Sequence, residues 1–366
     1  MTIWRWPRWS RGLAAVVGVA VLGACAPAPP PLYSDTTPPA LMTTPTEAGI
    51  VDLRDRYRAA LCRRLPPKSP RCDDVLLRLP GESDAPSESA AAPEAPRRYR
   101  LAFIPGLFSE CLQAIARPFA DVIPDLTRAG ADARYFSVAG RGTTATSWAG
   151  LETEIAPLPD DGRPLIVFAY SKGLPDLLEL VVRRPESAAR IAAIVSLAGA
   201  ANGSLLADRY VTTYRRWLSG LPLVSCGSGT GDEMGDMRRD VRLEWWRQHR
   251  AAISIPIFLL VTTPRRDHVS PTLSPTYREL ARTEPRNDGM LFWYDQLVSG
   301  ASLLGYVNAD HWSVAMPLSQ ELRAVDFLFY DNAVPRTLLV EAAIEVVDEV
   351  LRTRDKVGHP PKGGNP

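Results

Sequence analysis

The sequence predicts an α/β fold: a mostly parallel, doubly wound sheet with helices on both faces and a cap or lid insertion. Three observations carry this. From Tyr99 onward short apolar runs alternate with helical stretches, the rhythm of parallel strands joined by helical crossovers. Leu165–Tyr170 is apolar throughout, as expected of a strand buried on both faces, and Ile191–Leu197 and 255–261 read the same way. Residues 203–250 then break the rhythm with Trp217, Trp245, Trp246 and a Gly-rich loop at 227–235. An insertion there sits above the carboxyl ends of the strands, where it can cap a pocket.

In chain order, 101–104 is a strand, 112–129 a helix, 133–138 a strand and 144–156 a helix. The strand Leu165–Tyr170 runs into a helix over 174–182. A last apolar strand precedes His311, and final helices close a domain spanning 99–355. No internal repeat is visible.

The 366 residues allow one large domain with appendages. Apolar content of 46% suits a real core, and a net charge of +1 gives no argument for a nucleic-acid partner. Ahead of the domain, Arg5, Arg8 and Arg11 precede a 13-residue apolar run, 12–24. That is too short to span a hydrocarbon core of ~30 Å and suits the apolar part of a signal peptide. The run ends in Leu22-Gly23-Ala24-Cys25, which resembles the lipobox of bacterial lipoproteins. The resemblance implies removal of residues 1–24, lipidation of Cys25 and a lipid anchor in the cell envelope. Ala26 implies the outer membrane, periplasmic side. A plain secretory signal is the alternative.

Residues 25–49 read as a disordered tether, since 26–50 holds seven of the 34 prolines. Ile50, Leu53, Tyr57 and Leu61 recur at helical spacing, and 50–80 reads as a small helical hairpin. Residues 81–98 are Ser-, Ala-, Glu- and Pro-rich, a flexible linker, and 356–366 is a disordered tail. Export implies an oxidising compartment. Cys62, Cys72, Cys111 and Cys226 allow three pairings. Closeness in sequence favours Cys62–Cys72, which closes the hairpin and leaves Cys111–Cys226; four reduced thiols are the alternative. With no Cys-x-x-Cys and four histidines, a metal site is not expected.

The chemistry is carried by Ala169-Tyr170-Ser171-Lys172-Gly173, at the junction of a strand and a helix. This is the nucleophile-elbow pattern with alanine for its first glycine. Small residues two before and two after the serine let strand and helix approach closely. The tight turn pushes the serine oxygen into the cleft, and the helix N-terminus brings N–H groups towards it. The plainer reading is a serine capping an ordinary helix.

With this elbow the chain resembles the α/β-hydrolase superfamily, and within it the bacterial lipases and esterases, over about residues 99–355. Ile104-Pro105-Gly106-Leu107-Phe108 matches the loop where lipases carry His-Gly-Leu or His-Gly-Phe, with proline for the histidine. The resemblance implies that the N–H groups of Leu107 and Lys172 form the oxyanion hole. It also implies the order Ser, acid, His. His311, in Tyr306-Val307-Asn308-Ala309-Asp310-His311-Trp312, lies where the family places its base. His249 falls in the insertion, before the next strand, and His359 in the tail. Asn287-Asp288-Gly289 resembles the acid turn of several bacterial lipases, 23 residues before His311. Asp267, in Asp267-His268-Val269-Ser270-Pro271, resembles the acid loop of other esterases and competes with it. Asp310 is adjacent to His311 and suits bracing its loop; Asp295 is a further supporting acid.

A serine hydrolase of this kind cleaves small-molecule or lipid carboxylic esters and needs no cofactor. A thioesterase, polyester depolymerase or peptidase would use the same residues. A non-catalytic envelope lipoprotein with a hydrolase-like binding fold is the reading from another class.

Overall fold

The computed structural model describes residues 49–67, 70–83, 94–112, 117–220, 226–318, 327–329 and 334–358. The expected leader, Cys25 and the tether up to residue 48 lie outside these residues. So do 84–93 of the expected linker and 359–366 of the expected tail, with His359.

Among the described residues eight strands form one sheet. They are β1 (Val51–Asp52), β2 (Leu76–Leu77), β3 (Arg100–Ile104), β4 (Asp132–Tyr135), β5 (Leu165–Tyr170), β6 (Ile191–Leu197), β7 (Ile257–Thr262) and β8 (Ser302–Val307). Their order is β1-β8-β7-β6-β5-β3-β4, all parallel, while β2 pairs antiparallel with β8. Among the described residues the helices of seven residues or more are α1 (Arg54–Arg64), α2 (Val122–Arg128), α3 (Thr144–Ile155), α4 (Gly173–Arg183), α5 (Leu205–Trp217), α6 (Arg239–His249), α7 (Ser274–Leu280) and α8 (Arg336–Gly358). The expected doubly wound α/β fold is the one observed.

Every residue of β5 is buried, and its side chains alternate between two cores. Leu165, Val167 and Ala169 enter one layer with Leu151 and Ile155 of α3 and Leu174, Leu177 and Leu178 of α4. Ile166, Phe168 and Tyr170 enter the other with Leu126 of α2 and Val340, Ile344 and Val347 of α8. A Leu, Ile, Val or Phe buried this way contributes about 1.5–3 kcal/mol. The period of two along an apolar strand thus fixes which helices lie on which face.

Residues 50–80 differ from the expected hairpin apart from the main domain. β1 covers the amino half of the outer edge of β8, and β2 its carboxyl half. Tyr57 and Leu61 of α1 join the core beneath α8, and Tyr57 OH donates to Leu339 O at 3.0 Å. Of the residues at helical spacing, Tyr57 and Leu61 lie in α1, Leu53 is its N-cap and Ile50 precedes β1, and α1 packs against α8 and β8 rather than closing a hairpin of its own. The two disulfides are Cys62–Cys72 and Cys111–Cys226. The expected linker contains a helical turn, Ala95–Arg98, tied to α8 through Arg98 and Asp348, and α8 itself runs into the expected tail. The helix expected over 112–129 is shorter. Pro118 and Phe119, the latter at φ 62°, make a turn before α2, and Phe119 N–H donates to Ala315 O.

The insertion at 203–250 holds α5 and α6 and is fixed from several sides, unlike a loose lid. Arg209 and Tyr210 of α5 both bind Glu279 of α7. Trp245 of α6 donates to Glu179 of α4 at 2.6 Å, and Trp246 to Ala201 O at 2.9 Å. Asp236 accepts from the N–H and hydroxyl of Thr144 at the start of α3. Cys226 is bonded to Cys111, three residues beyond Phe108. Trp217, by contrast, is 65% exposed at the end of α5.

Candidate active site

Ser171 stands where β5 ends and α4 begins, at φ 53°. A serine held in the left-handed region costs about 1–3 kcal/mol and persists only where its surroundings enforce it. They do so here. Ser171 N–H donates to Leu197 O, and its carbonyl accepts from Leu174 and Ala200. A Cβ on Gly173 would come within 2.5 Å of Pro105 O, and one on Gly106 within 2.7 Å of Ser171 Cβ. Both glycines are therefore required by close backbone approach. Ala169 is tolerated because its methyl points into the core layer beneath.

His311 lies in the loop after β8. With Nδ1–H donating to Asp288 Oδ2 at 2.8 Å, its Nε2 faces Ser171 Oγ at 2.9 Å. The ring is buried, and its backbone is held on both sides. His311 N–H donates to Asp288 O, and Tyr170 OH donates to His311 O at 2.8 Å. Asp310 braces the same loop. Its Oδ1 accepts from Trp312 and Ser313 N–H, and its Oδ2 from Ser270 N–H. Burial raises the Asp310 carboxyl above its usual range, against those donors.

Asp288 follows β7 in sequence, in a turn closed by Gly289 at φ 91°. Its Oδ1 accepts from Met290 and Leu291 N–H at 2.9 and 2.7 Å. Its Oδ2 accepts from Thr262 Oγ1 at 2.6 Å and Gln296 Nε2 at 3.4 Å, besides His311. The carboxylate is fully buried, and both of its oxygens are hydrogen-bonded. The other acids lie elsewhere. Asp267 is exposed in the turn Arg266–His268. Asp295 is buried against Arg239, 3.2 Å away. Burial pushes its carboxyl up to about 7, while Arg239 pulls it down.

The Gly106–Phe108 loop lies against Ser171. Phe108, at φ 61°, anchors it by donating its N–H to Gly140 O. Among the described residues the N–H groups of Leu107 and Lys172 donate to no other protein group. Glu110 lies beside Cys111 and Cys226, but those sulfurs are bonded to each other, so the trio offers a cation one carboxylate. Two cavities, of about 210 and 280 Å³, open at the amino ends of the strands, one beside Arg250 and one beside Arg100. Ser171 is at the opposite end.

The structure thus brings Ser171, His311 and Asp288 together and leaves Asp267 apart. Sequence reasoning missed Thr262, Gln296 and Tyr170. A threonine closing an apolar strand was the available signal for the first; Tyr170 shows only as the residue before the serine.

No protein-family model matches the chain, and no curated protein matches it. Among solved structures, a metagenomic carboxyl esterase matches with a TM-score of 0.79 at 32% identity, covering 86% of this chain and 97% of that one. A mature Bacillus licheniformis lipase follows at TM-score 0.49 and 16% identity, covering 70% and 93%. A lipase from Pelosinus fermentans follows at 0.45 and 12%, covering 70% and 99%.

Proposed function

The chain belongs to the family of that carboxyl esterase, on the α/β-hydrolase fold, and from this premise we propose that it cleaves carboxylic esters through Ser171, His311 and Asp288. The observation that carries the assignment is the relay Ser171 Oγ–His311 Nε2–Nδ1–Asp288 Oδ2, at 2.9 and 2.8 Å. Its members come from three loops at the carboxyl ends of β5, β7 and β8.

The chemistry follows from what each group does. A serine hydroxyl is a weak nucleophile at neutral pH and needs a base within reach. His311 Nε2 takes its proton as the oxygen attacks the ester carbonyl carbon. The carbonyl oxygen becomes an oxyanion held by Leu107 and Lys172 N–H. His311 then protonates the leaving alcohol, and a water activated by the same imidazole releases the acid. Asp288 holds the tautomer and the orientation, and stabilises the imidazolium.

The test is labelling by a fluorophosphonate probe. The wild type takes one equivalent, and Ser171→Ala takes none. A wild type that stays unlabelled sinks the catalytic reading and favours a binding module.

The address is a second part of the proposal. Leu22-Gly23-Ala24-Cys25, after a basic and an apolar stretch, supports lipid attachment at Cys25 and an envelope location at the outer membrane, periplasmic side. The two disulfides suit an oxidising compartment. Cys25→Ser should move the protein from the membrane fraction to the soluble one; a variant that stays in the membrane ends this part.

A further inference from the structure

The proposed reaction uses the backbone of Lys172 and leaves its side chain without a role. That side chain is 2% exposed. Its Nζ donates to both oxygens of Asp176, at 2.7 Å each, and to Ser147 Oγ at 3.3 Å. Lysine is almost never buried so fully unless paired. An apolar residue could fill the same space without the desolvation cost of two ions. The pair therefore calls for an explanation beyond packing.

Its placement supplies one. Lys172 lies between the nucleophile and α4, Asp176 is in the first turn of α4, and Ser147 is on α3. On the other side of the same turn, Gly173 is pressed against Pro105 with no room for a Cβ. The peptide carrying the Lys172 N–H is thus clamped between the Pro105 backbone and an ionic tie to α3 and α4. Arg242 of α6 and Asp236 also face Asp176, and burial pushes its carboxyl up to about 6, with Lys172 and Arg242 opposing.

We propose that the Lys172–Asp176 pair is a positioning device that aims the Lys172 N–H at the oxyanion. It rests on the oxyanion assignment made above. Loss of one such donor typically costs about 10²–10³-fold in kcat. A donor left in place but no longer aimed should cost about tenfold or more.

The experiment compares Lys172→Met, the double variant Lys172→Met/Asp176→Leu and the near-isosteric Lys172→Met/Asp176→Asn on a p-nitrophenyl ester. The double variants leave no orphaned charge, so a defect caused only by an unpaired ion disappears in them. The expected result is a kcat about tenfold or more below wild type in all three, with KM within about twofold. Fluorophosphonate labelling of Ser171 should slow by a similar factor. A folded double variant with wild-type kcat overturns the proposal, as do kcat and KM changing together. Failure of both double variants to fold makes the pair structural and overturns it too. A wild type that takes no probe fails the serine-hydrolase reading itself, a distinct outcome.

Discussion

Single side chains decide which acid serves His311. Asp288 is buried and bonded to the ring, whereas Asp267 is exposed. Asp288→Asn should lower kcat by about 10³–10⁴-fold through the wrong tautomer, and Asp267→Asn should leave it unchanged; steady-state kinetics of both variants check this. Asp295 gives a prediction about stability. Its folded carboxyl sits at about 7, above its ordinary 3.8, chiefly through burial. Folding therefore holds a proton that the unfolded chain releases earlier. The associated stability is full below about pH 4 and is lost as pH rises through about 7. Asp295→Asn cannot ionise, so its melting temperature should gain on that of the wild type between about pH 5 and pH 8. A constant difference would contradict it. The site's legibility divides along the same line. Asp288 was legible through the resemblance of Asn287-Asp288-Gly289 to the acid turn of bacterial lipases, with Asp267 left as a competitor. Thr262 was not, because it meets Asp288 only after β7 and the loop have folded.

At the level of elements, the elbow and the insertion make opposite demands. Gly173 has no room for a methyl group. Gly173→Ala should destabilise by about 1–3 kcal/mol, read by urea unfolding, and should lower activity with it. The insertion is held by the Glu279 contacts, the two tryptophan hydrogen bonds and Cys226. A cap so fixed does not need an interface to open it. Turnover of a short-chain ester should rise smoothly through its solubility limit, and a jump in rate at that limit would show a moving lid. The strands β5 and β6 were legible to the residue, since burial on both faces leaves an unbroken apolar run. The helix expected over 112–129 was not, because the turn at Phe119 depends on a hydrogen bond to Ala315, far along the chain.

For the whole molecule, the described residues between 50 and 80 are part of the sheet rather than an appendage. Its periodicity was visible in sequence, but β1 and β2 are two residues each and carry no strand signal of their own. β8 recruits them. A chain beginning at residue 94 would leave the outer edge of β8 unpaired and Leu304 and Val307 without the cover of α1, and open edges of this kind associate. Such a truncation should elute as aggregate in size-exclusion chromatography where the longer chain does not. Loss of the Cys62–Cys72 bond should cost about 2–3 kcal/mol, measured by denaturant unfolding of Cys62→Ser/Cys72→Ser.

The parallel pairing of β1 with β8 also gives the molecule a direction. Val51 donates to Ala301 O at the start of β8, so the polypeptide enters the fold at the amino ends of the strands. Ser171 and His311 open at the other end. The chain's way in and the substrate's way in therefore lie on opposite faces, and whatever crowds the entry face leaves the mouth clear.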